Sequence, residues 1–134
     1  MCFAADASPP GIPQERVRAV RGDTLQADRF ELISADGTQV SAGLAQAPRL
    51  CGPGVVILPY VRGLYLFYEQ LAERIAQAGH DAIVVDYFGR TAGLAPRDED
   101  FDFQPHLSAA TLEQVQADIA AAVAVLPAVP VCGW

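Results

Sequence analysis

Short apolar runs without alternation stand out along the chain: Val55–Pro59 (VVILP), the VV-centred stretch Asp81–Asp86 (DAIVVD) and Val129–Gly133 (VPVCG). A strand covered on both faces loses the apolar–polar alternation of a half-exposed one, so these runs predict parallel strands buried in a sheet. Between the first two, Phe67, Leu71 and Ile75 recur at four-residue spacing with Tyr68, Ala72 and Ala76 beside them. That period predicts a helix over 66–78, stopped by Gly79. Between the second and third runs, Thr111 and Gln114 have the spacing of a capping box. The helix they open places Leu112, Val115, Ile119, Ala122, Val123 and Leu126 on one stripe and ends at Pro127. Upstream, Arg29–Ser34 and Thr38–Leu44 flank Ala35-Asp36-Gly37, and Asp-Gly between apolar segments predicts a β-hairpin.

Residues 1–27, with Pro9, Pro10, Gly11 and Pro13, read as an extended lead-in, and 87–108 as a long polar loop. The order strand–helix–strand–helix–strand behind a hairpin predicts an α/β fold with a doubly wound sheet. Ligands of such sheets bind at the carboxyl ends of the strands. The informative segments are therefore Tyr60–Tyr65, Tyr87–Gly93 and whatever follows Trp134. No helix follows the last strand to cover it, so residues 28–134 are expected to be the N-terminal half of a larger domain.

Composition narrows the function classes. The 134 residues are 51% hydrophobic and 19% charged, which excludes a disordered tail. A net charge of −7 argues against nucleic acid or an anionic membrane as partner. All nine basic residues are arginine, so a Walker-type phosphate loop and a Schiff-base or general-base lysine are excluded. Cys2, Cys51 and Cys132 show no paired spacing, which fits a reducing, cytoplasmic location. No basic-then-apolar leader opens the chain, and the apolar stretch 119–134 is too short and too broken by Pro127 and Pro130 to span a bilayer.

The segment LPYVRGLYLFYEQLAERIAQAGHDAIVVDYFGRTAG resembles the dienelactone hydrolase (carboxymethylenebutenolidase-like) family of the α/β-hydrolases. It carries a strand, a PxxRGL-like turn, a helix and a second strand ending in D-Y-F-G-R; the opening MCF…PP and the later PRDEDFDFQPH match a subgroup of that family. The resemblance implies a three-layer αβα sandwich, present here as a truncated N-terminal half with a hairpin, three parallel strands and two helices. It also implies hydrolysis of an ester or lactone through an acyl-enzyme, with no cofactor and no metal. The implied partner is a small ester or lactone bearing a carboxylate. The exposed edge of the last strand would favour self-association.

The resemblance also assigns sites. Gly133 and Trp134 would open the Gly-x-[Ser/Cys]-x-Gly elbow, the nucleophile being the next residue, with acid and histidine later in the chain. The Val61 backbone N–H would be one oxyanion-hole donor. Tyr60 stands where relatives often carry an acid. Arg90 would anchor the substrate carboxylate, its competing reading being a salt bridge to Asp86 or to the acidic loop. Phe88 either lines the pocket or packs in the core, and Arg62 reads as a turn residue.

Other candidates read as structural. Cys132 lies inside its strand, as a small buried hydrophobe does. His80 and His106 precede the elbow, against the triad's chain order. The acids Asp98, Glu99, Asp100 and Asp102 lack the glycine and glutamate of a calcium loop, with Phe103 and Ala109 in those places. Gly52–Gly54 precedes its strand, unlike a dinucleotide fingerprint. The competing function is a complete non-catalytic α/β module that binds a small carboxylate or a partner chain; a flavodoxin-like nucleotide domain would need more glycine than Tyr60–Tyr65 offers.

Overall fold

A computed structural model describes residues 7–11, 27–95 and 97–127. The hairpin comprises β1 (Asp28–Ile33) and β2 (Gln39–Ala45), paired antiparallel from Asp28↔Leu44 to Ile33↔Gln39. Gly37 takes φ +84° in its turn, and Asp36 Oδ1 accepts the Thr38 N–H at 3.1 Å. Then come β3 (Val55–Ile57), α1 (Leu66–Gln77), β4 (Ala82–Val85), α2 (Gly89–Ala92), α3 (Gln104–Ala109) and α4 (Leu112–Val125). The sheet order is β1-β2-β4-β3, with β3 parallel to β4 and β2 antiparallel to it. The third apolar run, with Gly133 and Trp134, lies outside the described residues.

Alternation along each strand sorts the core into two layers. Ala45, Ile57, Ala82 and Val84 face α1, where Phe67, Tyr68, Ala72 and Ala76 meet them. Leu32, Val40, Ala42, Ile83 and Val85 face the opposite side and meet Ala122 of α4. Ala72 and Ala76 are fully buried, so their small side chains let α1 lie close on the sheet. α1 stops as its pattern predicts: Gly79 at φ +101° closes the helix, its N–H bonded to the Ala76 carbonyl and that of His80 to the Ile75 carbonyl. This is the paired bonding of a Schellman motif.

Two expectations need correction. The polar stretch 87–108 is not one loop, because α2 and α3 lie within it. The stripe of α4 is also rotated from its apolar pattern. Leu112 and Val123 are 72% and 52% exposed, whereas Asp118 is completely buried. A buried carboxylate needs a partner far more than an apolar side chain needs cover, so the helix turns Asp118 towards Arg90.

Candidate functional site

Because β3 and β4 run parallel, the segments that leave their carboxyl ends open on the same edge of the sheet. Three hydrogen bonds fix the turn after β3. The Tyr60 N–H donates to Tyr68 Oη at 3.0 Å, and the Tyr60 carbonyl accepts from the Gly63 N–H at 2.9 Å. The Val61 carbonyl accepts from Arg97 Nε at 3.0 Å. Among the described residues, the Val61 N–H meets no acceptor, although Val61 is only 3% exposed. Gly63 takes φ +72°, which favours glycine.

Under this turn lies an ion pair that sequence reasoning missed. Arg97 Nη2 reaches Asp86 Oδ1 at 2.5 Å, with the two side chains 4% and 6% exposed. Burial pushes the Asp86 carboxyl up from its ordinary range, and the Arg97 hydrogen bond and charge pull it back only in part. The Arg97 guanidinium also lies 5.3 Å from the Phe101 ring, which stacks on His106 at 5.1 Å. Arg62, next to Val61, packs over the Tyr65 ring at 4.6 Å and reaches Glu99 at 3.8 Å, while its buried Nε finds no partner among the described residues.

Arg90 faces elsewhere. Its Nε and Nη2 grip both oxygens of Asp118 at 2.9 and 2.8 Å. Nη1 donates to Asp36 Oδ2 at 2.5 Å and to Thr38 Oγ1 at 3.2 Å, and Nη2 also to Ser34 Oγ at 2.9 Å. A guanidinium has five N–H donors, and all are engaged. The expected pairing of Arg90 with Asp86 or the acidic loop is thus replaced by Asp118 and Asp36, because Arg97 already occupies Asp86. Such a filled guanidinium is not organised to receive a substrate carboxylate.

The remaining candidates separate. Tyr60 is half-buried, its ring 6.4 Å from that of Phe103, so these two aromatics stand beside the open turn. Phe88 is 3% exposed and packs on Tyr87 at 4.7 Å. It also borders a depression between α2, α3 and α4, with Thr91, His106 and Val115. His106 Nδ1 lies 2.6 Å from Thr91 Oγ1, joining α3 to α2. Among the described residues, no group of three or more His, Cys, Asp or Glu could hold a metal ion. No described helix is long and apolar enough to cross a membrane.

A mixed sheet in the order β1-β2-β4-β3 with helices on both faces makes an α/β fold of the α/β-hydrolase type. The dienelactone hydrolase family model matches residues 40–133, and the chain belongs to that family. Its fold is similar to a crystal structure from Klebsiella pneumoniae subsp. pneumoniae MGH 78578 assigned as a dienelactone hydrolase, with TM-score 0.59 and 22% identity. The match covers 75% of this chain and 42% of that one, so the chain spans less than half of that relative's length. No curated protein matches the chain.

Proposed function

We propose that the protein hydrolyses an ester or lactone through an acyl-enzyme, and that the residues described here form the part of its site that receives the carbonyl oxygen. A nucleophile attacking the carbonyl drives negative charge onto that oxygen. Two preorganised N–H groups must then meet it. The Val61 N–H is one; the residue after the nucleophile supplies the other. Gly133 and Trp134 open the elbow that carries a Ser or Cys at the next position, and the acid and histidine follow it. Tyr60, beside the donor, forms a wall of the substrate site, with Phe88 packed beneath the neighbouring loop. A substrate carboxylate would reach Arg90 only by displacing Asp36, the exposed member of its cluster.

The observation that carries this reading is the Val61 turn. An N–H left open in a buried residue, while the carbonyls on either side of it are both held, calls for an acceptor that arrives later. The complete protein, extended past Trp134, is expected to turn over p-nitrophenyl acetate or a simple lactone with an acyl-enzyme detectable by mass. Val61→Pro, which deletes the donor, should lower kcat by about 10²–10³. A polypeptide of residues 1–134 alone should show no turnover. Activity of that polypeptide that survives replacement of Cys2, Cys51 and Cys132 by Ala would overturn the assignment.

A further inference from the structure

We propose that Arg97 is a positioning residue: braced against Asp86, it holds the Val61 carbonyl and thereby sets the direction of the open N–H one peptide away. The inference rests on the reading of Val61 as the oxyanion donor and adds the residue that aims it. All described peptide bonds are trans, so each N–H points opposite the carbonyl of its own peptide plane. The plane that contains the Val61 N–H also contains the Tyr60 carbonyl, which the Gly63 N–H holds at 2.9 Å. The next plane contains the Val61 carbonyl, which Arg97 Nε holds at 3.0 Å. With both planes held, neither dihedral of Val61 is free to turn.

The brace comes from the second β-strand end. Asp86, just past β4, takes Arg97 Nη2 at 2.5 Å, so one planar guanidinium links the two loops in two different directions. Lysine has no fixed fork and cannot reproduce both directions at once. Gly63 shows how close the brace sits: a Cβ there would lie 2.2 Å from Arg97 Nη2 and 2.6 Å from Asp86 Cγ. A buried ion pair adds little net stability against an apolar replacement of similar volume. Its contribution here is geometric.

The experiment separates positioning from folding. In the complete protein, Arg97→Met strands the Asp86 charge, whereas the double variant Asp86→Asn with Arg97→Met removes both charges and still leaves the Val61 carbonyl without its donor. Both should lower kcat on p-nitrophenyl acetate by about tenfold to a hundredfold, with KM close to wild type. The double variant should keep a near wild-type urea midpoint, and Arg97→Lys should recover activity only in part. Wild-type kcat in a stable double variant would overturn the proposal. If the wild-type protein cleaves no ester, the hydrolase reading itself has failed, and amide hydrogen exchange decides the clamp. Exchange over residues 61–63 should then be about tenfold faster or more in the double variant, and unchanged exchange overturns it.

Discussion

Asp36 and Asp118 grip one guanidinium from opposite environments, and their substitutions should behave differently. Asp36 is 47% exposed on its side chain and Asp118 fully buried. The Arg90 hydrogen bond, helped by the Thr38 N–H, holds the Asp36 carboxyl well below the ordinary carboxylate range. A carboxyl depressed in the folded state stabilises at neutral pH, and that contribution is lost as pH falls below about 4. Asp36→Asn should therefore lower the melting temperature at neutral pH, and the gap from wild type should narrow as the solution is acidified. A pH-independent gap would show that the charge is not what matters. Asp118→Ala leaves Arg90 with a buried, half-paired charge and should cost about 3–5 kcal/mol by urea unfolding. The glycines offer a third contrast. Gly37→Ala meets open space at φ +84° and should cost about 1–2 kcal/mol, whereas Gly63→Ala adds the clash with the Arg97–Asp86 pair and should cost distinctly more.

Among the elements, the hairpin, α1 and α4 were legible because their signals are local. Asp36-Gly37 sits in its turn, Gly79 stops α1, and Thr111 with Gln114 forms a reciprocal capping box at 3.3 Å in both directions. Thr111→Ala should destabilise by about 1 kcal/mol in chemical unfolding, since one orphan N–H of α4 loses its acceptor. α2 and α3 were not legible. At four and six residues they are too short to nucleate alone, so periodicity has nothing to register. Tertiary contacts hold them: α2 carries Arg90 into the Asp118–Asp36 cluster, and His106 of α3 meets Thr91. The face of α4 departs from its apolar pattern for a related reason. Asp118 falls beside the apolar stripe and is turned inward by Arg90, a partner 28 positions away that periodicity does not register.

At the scale of the molecule, the described residues form a four-stranded mixed sheet with helices on both faces. Within the described residues β3 closes the sheet, with Val55 and Val56 only half covered. We propose that a polypeptide of residues 1–134 self-associates as concentration rises, because an exposed strand edge pairs with another. Sedimentation velocity over a concentration series checks this; a monomer throughout would count against it.

What the residues determined by themselves was the order and kind of the main elements and the family, because turn chemistry, caps and apolar runs act between near neighbours. What only the tertiary structure decided was which arginine answers which acid. Arg90 finds Asp118 across 28 positions and Asp36 across 54, while Arg97 takes the Val61 carbonyl from 36 positions away. Nine arginines and sixteen acids allow many pairings, and charge has no period. The sheet chooses among them, by setting which strand ends lie side by side.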